Sequence, residues 1–463
     1  MRNPLVLSLL VIVFVVSWHI FPTYADEEGA VSDVSQEASG DTVSPGFESE
    51  NIYEVNAALS LGLEYNDNID EEAHNKTSDM IAHVRPSFGF RRIGGRIGAD
   101  IDYRGDYLFY LQGNDTEEYR HYIDATVTGE LVQNLLFLSV NENMQQVYHD
   151  ISRGAVGDDE TTNDLVNRNR FTVSPHFRLR PSERTRLLIG YDFTDVRYSK
   201  GLDDDENPRP VSFNRDQYNF NSKKSQRHTA YVELDHEVSD RAVMFTGGSM
   251  TRWIDDNEEN LTDQSFYRYI AYIGGSYAFS EDLSVRVKAG PSVSVPDEYS
   301  TETRPFVEAE LTYTIGRSRF NTFYMTTYED DADTGGSTQK SQYGIQWEKM
   351  FDRSRLSVAF SYNTYENEVD TDRRIQGNGD TYAPSLRYTY DLSDRLSAFI
   401  GYSATLYEDH AKGDHRHEGR YGITYELSGK DRLGLSHSIK YTDVYENDSY
   451  SVNRVMFDFT HIF

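Results

Sequence analysis

The chain predicts an all-β fold: a transmembrane, antiparallel, up-and-down β-barrel of about 20 strands, with about 18 as the lower count. Three observations carry that expectation. Apolar and aromatic residues recur at alternate positions through most of the chain, tight polar turns alternate with long acidic connections, and the final stretch alternates up to a terminal Phe463. A period of two gives each strand one face for lipid and one for the lumen.

The first 25 residues read as a secretory signal peptide. Met1-Arg2-Asn3 is a short positive start, Pro4 to Trp18 is an almost unbroken apolar run, and Thr23-Tyr24-Ala25 offers small residues at cleavage spacing. An uncleaved anchor is the alternative, but the run is short for a span of about 20 residues. Residues 26–51 read as an acidic, flexible periplasmic tail, since residues 26–50 hold eight acidic and no basic side chains. The chain has no cysteine, which excludes a lipid-attachment thiol, disulfides and thiolate metal sites.

Residues 52–463 are the predicted barrel. A net charge of −31 and 38% apolar residues suit a soluble protein, yet 34 Tyr and 24 Phe against 12 Pro is no disordered profile. A barrel reconciles the two, because only every second side chain meets lipid. In 95–110, Ile97, Ala99, Ile101, Tyr103, Tyr107 and Phe109 form one face and Asp100, Asp102, Arg104 and Asp106 the other. In 396–406, Leu396, Ala398, Ile400, Tyr402, Ala404 and Leu406 oppose Ser397, Gly401, Ser403 and Thr405. Similar faces recur in 171–179, 356–362 and 421–427, each long enough for a tilted crossing of about 9–11 residues.

Nine tight turns, from Ile93-Gly94-Gly95 to Ser428-Gly429-Lys430-Asp431, alternate with ten longer connections such as 150–164, 200–225, 255–263 and 367–380. Short periplasmic turns and long extracellular loops give an even strand count with both ends of the barrel domain periplasmic. Val455, Phe457, Phe459 and Phe463 then form the apolar face of a closing strand, the kind of element barrel-assembly machinery receives, with His461 where an apolar residue is more usual. An ordinary strand of a soluble sheet is the competing reading of that stretch.

Several segments together resemble a known family. They are LSLGLEYNDNID (59–70), SDMIAHVRPSFGF (78–90), YRGDYLFYLQGND (103–115), HYIDATVTGELVQNLLFLSV (121–140) and VSPHFRLRPSERTRLLIGYDF (173–193). They are similar to the outer-membrane β-barrel porin family associated with exopolysaccharide and exosortase (PEP-CTERM) gene clusters. The Tyr65-Asn66-Asp67-Asn68-Ile69 block is the clearest marker, and the in-strand Pro86, Pro175, Pro291 and Pro384 agree with it. The resemblance spans most of 52–463 and implies a Gram-negative outer-membrane barrel serving surface polysaccharide or biofilm matrix. It brings no substrate and no functional residue.

The polar faces predict a pore lining of Asp100, Asp102, Asp106, Asp124, Glu130, Glu233, Asp235, Glu308, Glu310, Glu348 and Glu426 against Arg104, Arg178, Arg286, Lys288 and Arg387. That excess of acid favours cations or neutral sugars and repels polyanions. The competing reading is that these charges pair in a packed lumen. Inward Tyr122, Tyr231 and Phe399 are either sugar-stacking platforms or filler. The 200–225 connection, with Pro208, Pro210 and Lys223-Lys224, is the candidate constriction.

Acidic clusters at 67–72, 158–160, 203–206, 255–259 and 329–331 offer hard oxygen ligands to Ca²⁺ or Mg²⁺, including ions bridging lipopolysaccharide. A solvated acidic surface is the stronger reading, and no metal ligand is named. No cofactor is expected: there is no phosphate-binding glycine loop, and His410, His415 and His417 fall in a connection. Ser436-His437 are adjacent strand residues on opposite faces, which excludes a working pair. The net charge of −31 disfavours nucleic acid. The sequence therefore predicts no enzyme but a passive pore or export channel in the outer membrane, contacting lipid, lipopolysaccharide and polysaccharide. A plugged, structural or adhesive barrel whose loops contact surface polysaccharide is the alternative.

Overall fold

The computed structural model describes residues 52–112, 118–148, 165–199, 224–255, 265–297, 300–330, 337–367, 380–408, 415–444 and 448–463. The predicted signal peptide and acidic tail lie outside them, as does most of the 200–225 connection.

Twenty strands are present: β1 (Ile52–Asn66), β2 (Asp79–Ile93), β3 (Ile97–Tyr110), β4 (Glu118–Val132), β5 (Leu136–Tyr148), β6 (Leu165–Ser182), β7 (Thr185–Ser199), β8 (Lys224–Ser239), β9 (Ala242–Asp255) and β10 (Phe266–Ala278). They continue as β11 (Leu283–Pro296), β12 (Glu302–Ile315), β13 (Ser318–Asp330), β14 (Ser337–Met350), β15 (Ser354–Asn367), β16 (Thr381–Ser393), β17 (Leu396–Tyr407), β18 (His415–Glu426), β19 (Asp431–Asp443) and β20 (Tyr450–Ile462). Each pairs antiparallel with its neighbours in the chain, and β1 pairs with β20, so the sheet closes. The upper of the two expected counts is the right one. All nine predicted tight turns fall between strands, and three of them bend through left-handed residues: Gly94 and Gly95, Asn134, and Gly316.

Alternation decides which face meets what. Leu61, Leu63, Met250, Ile273, Ile400, Tyr402, Val455 and Phe457 are exposed apolar residues of one face, the outer one. Such a continuous belt would be a severe liability in water and is what hydrocarbon requires. Val455, Phe457, Phe459 and Phe463 belong to it through the β1–β20 and β19–β20 registers, and Phe463 N–H donates to Ala57 O at 2.9 Å.

The in-strand prolines have a physical account. Pro86, Pro175, Pro291 and Pro384 all sit on the outer face, each where one ladder lapses without losing register. β2–β3 skips from Val84↔Tyr107 to Ser87↔Arg104, and β6–β7 from Val173↔Phe193 to His176↔Gly190. β10–β11 skips from Ile270↔Ser292 to Ile273↔Ala289, and β16–β17 from Tyr382↔Leu406 to Ser385↔Ser403. Proline brings no N–H to the ladder, so each wall opens locally there.

On the inner face, glycines are seats for aromatic rings. A Cβ on Gly190 would lie 2.2 Å from the Tyr231 ring, one on Gly344 2.2 Å from Phe323, and one on Gly274 2.3 Å from Phe245. Tyr231 is thus seated as a wall element. Gly190→Ala is expected to destabilise the refolded barrel by about 1–3 kcal/mol through overpacking, seen as a lower urea midpoint. Gly419→Ala, with nothing within 4 Å of its Cβ, should leave that midpoint nearly unchanged.

Candidate functional site

The strand registers place all of Asp100, Asp102, Arg104, Asp106, Asp124, Glu130, Glu233, Asp235, Arg286, Lys288, Glu308, Glu310, Arg387 and Glu426 on the inner face, with Arg178 and Glu348. The predicted excess of acid does not hold there. Arg85, Arg120, Arg168, Arg170, Arg227, Arg268, Arg304, Lys340, Arg416, Arg420, Lys440 and Arg454 share that face. Most of them lie in the loop-side halves of their strands, where apolar alternation fades and a face is hard to read.

Many charges are matched locally. Lys288 Nζ lies 3.3 Å from Glu308, Arg186 3.5 Å from Asp235, and Arg120 donates to Glu118 at 2.7 Å. His83 stands between Glu64 at 3.4 Å and Asp106 at 3.0 Å, and Arg85 links Asp106 at 3.0 Å to Asp458 at 3.1 Å. The wall is therefore of mixed sign and largely paired among the described residues.

Exposure along the inner face is graded. In the middle and toward the turn end, Asp102, Arg104, Arg286, Glu310, Ser385, Arg387 and Ser403 are exposed to the interior. At the loop end, inward residues are buried instead: Asn66, Ile81, Leu108, Trp253, Phe266 and Val452 are each 0% exposed. An open vestibule thus leads to a packed mouth.

Two segments pack that mouth. The first is the connection after β1, where the Tyr65–Ile69 block becomes a clasp. Asp67 accepts from Asn453 N and Nδ2, both at 2.7 Å, and its own N–H donates to Asn453 O at 3.1 Å. Asn68 N–H donates to Asn66 Oδ1 at 2.9 Å, while Asn68 Nδ2 donates to Glu72 O at 2.8 Å and Ser451 O at 3.1 Å. These are side-chain-to-backbone links that Asn and Asp favour in turns. Ile69 is pressed onto inward Ile81 and Leu108, and Glu71 accepts from Lys440 at 2.9 Å and Tyr450 at 2.8 Å. This acidic cluster is consequently bound up in structure rather than left as a solvated surface.

The second is the β13–β14 hairpin. β12 pairs with β13 from Ile315↔Ser318 only as far as Glu308↔Met325, although β13–β14 continues to Asp330↔Ser337. Pro305 stands opposite Pro291 on β11. Two facing prolines exchange no hydrogen bonds, so position 305 would have directed its donor at β13, and proline has none. Above this break the hairpin turns inward. Phe320 and Tyr324 face the membrane, but Tyr328 of the same row donates its hydroxyl to inward Ser292 at 2.7 Å. The Arg268 guanidinium lies 3.4 Å from the Tyr328 ring centre and donates to Ser337 at 3.1 Å. Nothing in the local sequence announces this bend except Pro305.

Other expected features resolve as follows. His415 and His417 are strand residues of β18, not connection residues, and His417 bonds the Tyr402 hydroxyl at 2.8 Å. Ser436 and His437 do point to opposite faces, with His437 at 2.9 Å from the Tyr421 hydroxyl on the outside. No group of three His, Asp or Glu side chains fit for a metal occurs among the described residues. The clusters at 158–160 and 203–206 lie outside those residues. Beyond the spans, Arg252 holds the Asp297 carboxyl below the usual carboxylate range through bonds of 2.9 and 2.7 Å.

No protein-family model and no curated protein matches this chain. Solved structures similar to it include OpdK of Pseudomonas aeruginosa with vanillate, at 12% identity and TM-score 0.39, covering 89% of this chain and 99% of that one. The siderophore receptor PirA of the same organism shows 7% identity and TM-score 0.45, covering 88% of this chain and 80% of that one. A mutant of its ferric enterobactin receptor PfeA shows 11% identity and TM-score 0.47, covering 89% and 80%.

Removing the clasp's anchor should be measurable. Asp67→Ala leaves the Asn453 donors without their partner, and a cost of about 1–3 kcal/mol is expected. It should lower the urea midpoint of the refolded barrel and speed proteolysis near residues 67–78.

Proposed function

We propose that the protein is an outer-membrane pore: a passive channel whose inner vestibule is open toward the periplasm and whose extracellular mouth is narrowed by the clasp and the β13–β14 hairpin. The observation that carries this reading is the exposure gradient of the inner face, open around Arg104 and Arg387 and sealed around Ile81 and Phe266. A barrel of 20 strands also exceeds the about 16–18 strands at which porins already enclose an aqueous channel.

A paired wall of both signs gives little net field, so the channel suits neutral polar solutes, sugars above all, better than cations. The resemblance of the Tyr65–Ile69 block and its flanking strands supports a role at the exopolysaccharide-bearing surface. On that reading the outer belt meets lipid and lipopolysaccharide, the acidic loops meet divalent ions and polysaccharide, and export follows the signal peptide.

Planar bilayers test the proposal. The refolded protein is expected to form stable channels with a reversal potential near zero in a KCl gradient, and liposomes carrying it should swell in isotonic glucose. Silence from a heat-modifiable, folded barrel would leave the plugged or adhesive reading in its place. Because the hairpin is held by a few polar interactions, Arg268→Ala and Tyr328→Phe should each raise the open population about 2- to 10-fold.

A further inference from the structure

One inward cation does not follow the paired pattern. Arg387 lies mid-strand on β16 and is exposed to the interior. Its register partners are Ser357 on β15 and Gly401 on β17, and Gly401 in turn pairs with Arg420 on β18. The two arginines therefore flank a glycine, about 10 Å apart across two strand spacings.

The floor between them is empty of side chains. A Cβ on Gly401 would meet only the carbonyl oxygens of Leu386 at 3.5 Å and Arg420 at 3.9 Å. Exposed Ser385 and Ser403 lie on the same face immediately beside it. Arg387 makes no ion pair among the described residues. Its guanidinium lies 4.9 Å from the Phe399 ring centre, and the charged group acting on it is Arg420, of the same sign.

Two like charges facing an open interior raise the local potential, and a guanidinium fork matches the geometry of a planar or tetrahedral oxyanion. We propose that Arg387 and Arg420, over the Gly401 floor with Ser385 and Ser403, form a binding station for an oxyanion, the carboxylate of an acidic sugar or a phosphate group. The station deepens the pore reading, on which it rests for access: a wall that is neutral overall holds one local trap that selects anionic solutes. Phe399 underlies the Arg387 guanidinium and keeps it flat, which is the task of that inward aromatic. Acidic glycans, disfavoured by the charge count of the predicted lining, become candidate cargo.

Calorimetric titration of the refolded protein in detergent micelles, with inorganic phosphate, galacturonate and glucose, tests the station without requiring conduction. The wild-type barrel is expected to bind at least one of the two anions saturably and glucose not at that site. Arg387→Gln should weaken anion binding about tenfold or more, Arg387→Lys should restore part of it, and Arg241→Gln, in a turn, should leave it unchanged. Tighter galacturonate binding would identify the cargo group as a sugar carboxylate, tighter phosphate binding as a phosphate. No saturable binding of either anion, or equal binding by Arg387→Gln with its heat-modifiable fold intact, would overturn the station. Silent bilayers with retained anion binding would sink the pore reading alone, and conducting channels without it the station alone.

Discussion

Every feature of this molecule depends on closing the backbone ladder. In hydrocarbon an N–H or C=O without a partner costs several kcal/mol, so a sheet can sit there only if its first strand meets its last. That meeting is short: β1 pairs with β20 only from Ala58↔Ile462 to Asn66↔Arg454. Beyond Asn66 the Asp67–Asn453 bonds continue the seam with side chains where strand pairing ends. The closure, and not the packing of a hydrophobic core, is what orders the wall. Buried clusters are small and lie at the mouth, around Ile69, Val196 and Trp253.

The same rule gives meaning to places where the ladder is thin. Pro86, Pro175, Pro291 and Pro384 interrupt single ladders, and neighbours in register hold the wall on either side. Pro305 differs because it falls near the loop end, where there is no further pairing above it to recapture the strand. One missing donor in mid-wall leaves a gap; one missing donor near the rim frees a hairpin to fold inward.

Legibility followed the same physics. Strand count, turn positions and the outer belt were readable because a period of two and a tight turn are local signals, repeated twenty times over. The membrane-facing row from Leu396 to Leu406 and the closing row from Val455 to Phe463 are cases in point. The mouth was not readable. Arg168, Arg227 and Arg454 stand in strand halves whose outer neighbours are polar too, so no alternation betrays their face. The clasp joins residues nearly 400 positions apart, and the hairpin's inward turn depends on Arg268, two hairpins away. The Tyr65–Ile69 block was visible as a marker, yet its task could be seen only once Asn453 stood beside Asp67.

The clasp also sets an order in time. Its two halves come from the first connection and the last strand, so the mouth takes its final form only when the whole chain has been delivered and the seam is shut. A chain halted before β20 would keep Ile69, Glu71 and their polar neighbours loose, an accessible and cleavable segment. The first loop therefore doubles as a completion mark: where it resists cleavage, the barrel behind it has been built to its last strand.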